Sequence, residues 1–274
     1  MKHWRAIVIA LVCAALAVGA FRLFEHTARL QPALVTPKMD AQQALSPSIA
    51  GHLKRLLREQ GLYGNRSGRP KLIALTFDDG PYPVFTPLLL DALHKLKIPA
   101  TFFLIGHDAQ TWPELTARIE QSGGEIANHT QTHPNLDLLS DAQVRREIIG
   151  GRTSLDALVK DPAIGQFFRP PHGRYTVAVV KDAQSLGYTT VLWNDDPGDW
   201  RTSRTTPHEL DEHIRRFATA PDIVLLHSGK LATIEMLPSL AAAFRSAGYR
   251  FVTLGALMRA VPYDDVNHPA KHPV

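Results

Sequence analysis

The sequence predicts an α/β fold, a (β/α)7-type barrel in a single domain, and two observations carry that expectation. Apolar runs rich in strand formers recur at 71–77, 100–105, 124–128, 166–169, 189–194, 222–227 and 249–254, and most gaps between them hold apolar residues at helical spacing. The first run, Leu72-Ile73-Ala74-Leu75, is apolar without interruption, as a parallel strand buried on both faces requires. Alternating strands and helices build either an open sheet or a closed one, and seven repeats favour a closed or nearly closed barrel. In both, functional groups gather at the C-terminal ends of the strands.

Before the barrel, Lys2, His3 and Arg5 precede an apolar stretch from Ala6 to Phe21, the charge-then-apolar order of an export signal. Small residues at 15–17 and 18–20 suit cleavage, while continuation through Leu23 and Phe24 nearly spans a bilayer despite Arg22. Residues 1–24 therefore read as a signal peptide or a membrane anchor. The expectation is an exported protein, periplasmic or held at the membrane facing outward. Residues 25–69, with prolines at 32, 37 and 47, read as a linker carrying one short amphipathic helix over 48–59, with Ile49, Leu53, Leu56 and Leu57 on one side. The catalytic domain is expected over 70–262, followed by a polar tail over 263–274.

Within the domain, Leu89, Leu90 and Leu93 place a helix over 86–96, a Ser140-Asp141 start signal opens one over 140–158, and Thr206-Pro207 opens one over 207–217. A last helix over 234–247 stops at Gly248. Composition excludes several function classes. A hydrophobic share of 45% with 20% charged residues is an ordinary soluble balance, and a formal charge of +4 is too small to argue for a nucleic-acid partner. The single cysteine, Cys13, rules out an intramolecular disulfide and a multi-cysteine zinc site. The 13 histidines point instead to metal or acid-base chemistry.

The strand ends supply it. The first strand ends in Asp78-Asp79-Gly80-Pro81, two adjacent carboxylates that repel each other unless a cation or an arginine stands between them. The third leads into His129-Thr130-Gln131-Thr132-His133; two imidazoles four apart can face one metal ion, and with Asp79 they make a two-histidine, one-carboxylate set with positions left for water and substrate. A chance His-x-x-x-His in a histidine-rich chain is the bland alternative. Arg169, after the fourth strand, can pair with Asp78 and keep it ionised as a base. Asp199, after the fifth, can hold the His227 imidazole that ends Leu225-Leu226-His227 and raise its pKa, as a general acid requires.

The runs Thr76-Phe77-Asp78-Asp79-Gly80-Pro81, His129-Thr130-Gln131-Thr132-His133, Arg169-Pro170-Pro171-His172-Gly173, Asp196-Pro197-Gly198-Asp199-Trp200 and Leu225-Leu226-His227 resemble, in order, the five motifs of the NodB-homology polysaccharide deacetylases, carbohydrate esterase family 4. The resemblance covers about residues 70–260. It implies a distorted (β/α)7-type barrel and a metal-dependent deacetylase in which Asp79, His129 and His133 hold one divalent metal, zinc first and cobalt or nickel as alternatives. It implies Asp78 as general base positioned by Arg169, and His227 as general acid tuned by Asp199. Leu225 and Trp200 would wall the acetyl pocket, and the backbone N–H of His172 would steady the oxyanion. Two departures stand out: His172 where the family usually has tyrosine, and Ser228 after the acid histidine where it usually has aspartate.

The implied substrate is a polysaccharide bearing N-acetylglucosamine, such as peptidoglycan, a chitin-like oligomer or poly-N-acetylglucosamine. O-deacetylation of an acetylated xylan and a non-catalytic exported sugar-binding role are the alternatives. A zinc peptidase or amidase is disfavoured, because no His-Glu-x-x-His run is present.

Overall fold

The computed structural model describes residues 70–160, 167–201, 205–218 and 220–260. The expected export segment over 1–24, the linker and amphipathic helix over 25–69, and the tail over 263–274 lie outside the described residues. The elements run β1 (Leu72–Asp78), α1 (Phe85–Leu96), β2 (Ala100–Leu104), α2 (Gly106–Thr111), α3 (Pro113–Gln121), β3 (Glu125–Asn128), α4 (Asp141–Asp156) and β4 (Phe167–Phe168). After them come α5 (Val177–Ser185), β5 (Thr189–Thr190), α6 (Pro207–Phe217), β6 (Asp222–His227), α7 (Leu231–Ser246), β7 (Arg250–Phe251) and α8 (Leu254–Ala260). Single 3-10 turns at Leu136–Leu138 and Pro171–Gly173 follow β3 and β4.

All pairings are parallel, in the order β5-β4-β3-β2-β1-β6, with β7 beside the start of β1. Ile73 faces both Asp222 and Phe251, so β6 and β7 flank β1 on opposite edges. The sheet curls, and the chain just past β5 meets β6 through a parallel bridge between Asp195 and Val224. Backbone bonds from Asn194 N to Ile223 O (2.9 Å) and from Leu225 N to Asp195 O (2.9 Å) hold that seam.

Strand parity decides what each face carries, because successive side chains point to opposite faces. In β1, Ile73, Leu75 and Phe77 pack outward with Leu89, Leu93, Phe102, Val224 and Leu240 of the surrounding layer. The alternate residues Leu72 and Ala74 point inward to Phe103, Ala127, Phe167, Ile223, Leu254 and Leu257. Continuing the inward series two residues at a time reaches Thr76 and Asp78, then Arg169 after Phe167 and His129 after Ala127, and Leu225 and His227 after Ile223. The inner face is apolar below and polar at its C-terminal rim.

Helix starts obey their local signals. Gln143 Oε1 accepts from the Ser140 N–H at 3.0 Å, closing the start of α4. At α6, Thr206 N donates to Glu209 Oε2 at 2.8 Å and Glu209 N to Thr206 Oγ1 at 3.2 Å, with Pro207 at the first position. The last long helix begins at Leu231, earlier than the expected 234, because Ile234 N already reaches Lys230 O at 3.3 Å.

Candidate active site

Every candidate residue named from the sequence falls at one place. Asp78, Asp79, His129, His133, His172, Trp200, Leu225 and His227 line a cleft of about 280 Å³ at the C-terminal ends of the strands, with Arg169 and Asp199 bonded behind two of them. Asp79 would point away from Asp78 if β1 ran on. A left-handed backbone at Asp79 (φ 68°), followed by Gly80 (φ 74°), turns it into the same cleft.

Asp79, His129 and His133 bring their ligating atoms within 4.8 Å of one another. Asp79 Oδ1 lies 3.2 Å from His133 Nε2 and 3.7 Å from His129 Nε2, yet it is buried without a hydrogen-bond partner. His129 Nδ1 stands 2.8 Å from the Arg169 carbonyl, which can only accept, so the ring proton is on Nδ1 and the Nε2 lone pair faces Asp79. Burial keeps that imidazole neutral by pushing its pKa down, against the pull of Asp78 and Asp79. Burial also works against the Asp79 carboxylate, but the approach of the His133 ring and the neighbouring imidazoles of His129 and His227 prevail and hold its pKa down to about 2. An ionised carboxylate and a neutral imidazole converging with an unsatisfied oxygen are what a divalent cation needs, so the residues fit one.

Behind this trio, Arg169 is wholly buried and gives its donors away one by one. Nη1 donates to Asp78 Oδ1 at 2.7 Å and Thr76 Oγ1 at 2.9 Å, Nη2 to Leu192 O at 3.0 Å, and Nε to Val191 O at 3.3 Å. The guanidinium lies 4.0 Å from the centre of the Phe103 ring. Asp78 is thereby fixed with one oxygen on the arginine and the other 3.7 Å from His129 Nε2.

On the far wall, Asp199 is buried and takes three donors. Its Oδ1 is 2.7 Å from His227 Nδ1, and its Oδ2 accepts from the His227 backbone N–H at 2.8 Å and from Thr233 Oγ1 at 2.7 Å. Burial of His227 would lower its pKa; the bond to Asp199, that residue's charge and the charges of Asp78 and Asp79 outweigh it, and the pKa is raised. Trp200 is 51% exposed at the rim with its Nε1 3.2 Å from Asp196 Oδ1, while Leu225 is buried.

The two departures from the resembled motifs have local consequences. The His172 ring meets the His133 ring edge-on at 4.5 Å between centres, and its pKa is lowered by burial first and by His133 next. Ser228 ties the ends of β1 and β6 together, its N–H on Asp78 O at 3.0 Å and its Oγ on Asp79 O at 3.2 Å. Sequence reasoning missed Trp193 and Lys230, which also line the cleft, and Thr233, which reaches Asp199 from α7. Trp193 lies inside the 189–194 apolar run, and a Cβ at Gly173 would stand 2.7 Å from its ring, so that glycine is a signal of close packing.

A curled parallel sheet that sets a carboxylate on an arginine and an imidazole on a carboxylate, beside three groups that fit a cation, has the parts a hydrolase uses. The comparisons with known proteins narrow the class: a family model described as polysaccharide deacetylase matches residues 65–191. The peptidoglycan-N-acetylglucosamine deacetylase of Bacillus cereus is 40% identical over 194 residues, covering 69% of this chain and 89% of its own. The chitooligosaccharide deacetylase of Sinorhizobium fredii is 34% identical, covering 72% of this chain and 86% of its own. A solved peptidoglycan N-acetylglucosamine deacetylase, in complex with an N-hydroxybenzamide, superposes with a TM-score of 0.66 at 31% identity, covering 69% of this chain and 89% of that one. The chain belongs to the polysaccharide deacetylases of carbohydrate esterase family 4, which are hydrolases.

Removing His133 tests the candidate cation site directly. His133→Ala should lower zinc affinity by more than the ~100-fold that loss of an outer-shell partner costs. The half-buried ring contributes little to the core, so the midpoint of urea unfolding of the metal-free protein should barely move. Titration against a chromophoric chelator measures the first and circular dichroism the second; unchanged zinc affinity would remove His133 from the ligand set.

Proposed function

We propose that this domain removes N-acetyl groups from an N-acetylglucosamine-containing glycan of the cell envelope, with one divalent metal, zinc in first place, held by Asp79, His129 and His133. The observation that carries it is the unsatisfied, buried Asp79 Oδ1 converging with two imidazole nitrogens between the Asp78–Arg169 and His227–Asp199 pairs. When bound, the metal supplies Lewis-acid polarisation of the acetyl carbonyl and acidifies a water. Asp78, held by Arg169, takes a proton from the attacking water. His227, protonated and anchored by Asp199, gives its Nε2 proton to the departing amine, so acetate and a free amino sugar result. Leu225 and Trp200 bound the space for the acetyl methyl, and the His172 backbone N–H supports the oxyanion. The names of the relatives favour peptidoglycan or chitin-like substrates over acetylated xylan. Acetate release from a panel of these glycans, with and without added zinc, tests the reading; no release from any amino-sugar polymer by zinc-loaded protein would refute it.

The same proposal places the chain outside the cytoplasm, on the strength of the basic and apolar start of the sequence.

The acid has its own signature in pH. A general acid works only while protonated, so activity persists below the raised pKa of His227 and falls as pH climbs through it. Asp199→Asn removes the charge that favours the imidazolium, so the alkaline limb of the rate profile should move to lower pH while zinc affinity is unchanged. Profiles of acetate release for the two proteins check this. An alkaline limb that stays in place would leave Asp199 a purely structural residue.

A further inference from the structure

α4 carries Gly150 and Gly151 past its centre, where glycine disfavours a helix relative to alanine. Both lie under the loop that joins His129 to His133. A Cβ on Gly151 would collide with Asn128 Oδ1 and stand 2.8 Å from the Thr130 carbonyl carbon; one on Gly150 would stand 3.0 Å from Gln131 Cβ. One turn earlier, Glu147 accepts from Gln131 N at 3.1 Å, Thr132 N at 2.8 Å and Thr132 Oγ1 at 2.8 Å. One turn later, Ser154 Oγ donates to Gln131 Oε1 at 2.7 Å. Positions 147, 150, 151 and 154 share one helical face. Between them, the Ile148 carbonyl accepts from Asn128 Nδ2 at 2.9 Å, and Asn128 Oδ1 accepts from Thr130 N at 2.8 Å.

The loop's N–H groups and two of its carbonyls have named partners. Its N–H groups at 131 and 132 go to Glu147, that at 130 to Asn128, and that at 133 to Thr130 Oγ1 at 3.0 Å. The carbonyls of 130 and 131 accept from Gly106 N and His107 N, each at 2.9 Å. This matters because Thr130 (φ 71°) and His133 (φ 59°) sit in left-handed backbone, a strain that persists only where the surroundings impose it.

We propose that this face of α4 is a platform that pre-forms the metal-binding loop before any metal arrives, with Glu147 as its positioning residue and Gly151 as the position that admits the loop backbone. It rests on the metal-site reading above and extends it to residues that touch no ligand atom. A loop held in the binding geometry loses less ordering free energy on metal capture than one that must fold around the ion.

The test measures zinc affinity by chelator competition, and amide exchange at residues 131 and 132, in the metal-free full chain. Glu147→Ala should weaken zinc binding about 10–100-fold, the usual cost of an outer-shell partner, and speed exchange at both amides. Glu147→Gln keeps an acceptor for the two N–H groups and should recover much of the affinity, and Ser154→Ala should weaken binding less than Glu147→Ala. If Glu147→Ala fails to fold, Ser154→Ala carries the test, and wild-type affinity in it would overturn the proposal. Faster exchange with unchanged zinc affinity in Glu147→Ala would overturn it too, reducing Glu147 to a loop fastener. A wild-type chain that takes up no zinc sinks the metal reading itself, an outcome distinct from tight binding by every variant.

Discussion

Asp78→Asn should lower acetate release by about 10²–10⁴-fold at every pH while zinc affinity stays near that of the wild type, because the change deletes the proposed base and leaves the proposed ligand trio in place. Asp78 is the last inward-facing residue of β1, and Arg169 Nη1 occupies its Oδ1 at 2.7 Å. In the variant the guanidinium retains the asparagine oxygen, since the amide NH2 cannot accept, and the NH2 then faces the cleft where a proton acceptor is needed. Retuning and loss therefore separate by shape: the Asp199 variant slides one limb of the pH profile, whereas the Asp78 variant sinks the whole curve. Initial rates of acetate release over the accessible pH range, on protein of verified zinc content, make the comparison. A drop of less than about tenfold would assign the base elsewhere, because general-base contributions rarely fall so low.

The fold was legible where apolar content and strand parity agreed. β1 and β6 emerge within a residue of their expected bounds because a continuous apolar run between turn residues leaves a doubly buried strand little latitude. The run 189–194 shows the opposite case. Only Thr189–Thr190 pairs with β4, after which the chain crosses to β6 at Asp195, so the apolar residues mark a change of partner and not one long strand. The short helices α2, α3, α5 and α8 were not assigned individually. Six residues in α2 give no period to count, and in α5 the consecutive apolar residues Val177, Ala178, Val179 and Val180 bury Val179 and leave Val177 half exposed.

In the site, pooling residues at strand ends was enough to bring Asp78, Asp79, His129, His133 and His227 into one cleft, because a parallel sheet delivers all its C-terminal ends to one rim. The residues that support them left fainter traces. Thr233 reaches Asp199 from the first turn of α7 and Glu147 reaches the histidine loop from the middle of α4, and neither separation has a periodic signature. The readable clue to the second was the Gly150-Gly151 pair, an unfavourable choice inside a helix unless another backbone must come close.

Arg169→Leu should be the most destabilising single change in the barrel, at about 3–5 kcal/mol, the usual cost of removing one partner of a buried ion pair. The guanidinium is among the largest side chains with no solvent exposure, and its loss strands several groups together. Asp78 becomes a buried carboxylate without its cation, and the Val191 and Leu192 carbonyls lose the Nε and Nη2 donors that tie the chain after β5 to the barrel interior. Thr76 is spared, since its hydroxyl donates to Val224 O at 2.7 Å independently of the arginine. Arg169→Lys should fall between wild type and Leu. It returns a positive charge to Asp78 but only as a point donor, without the planar fork that serves the carboxylate and two carbonyls at once or the flat face that lies over Phe103. Adding Asp78→Leu to Arg169→Leu should recover stability relative to Arg169→Leu alone, because an apolar pair carries no stranded charge, while activity stays absent for want of a base. Urea unfolding of the wild type, the two single Arg169 variants and the double variant measures these differences. If the double variant is no more stable than Arg169→Leu, the arginine stabilises the barrel by filling space and bonding carbonyls, and its pairing with Asp78 serves catalysis alone.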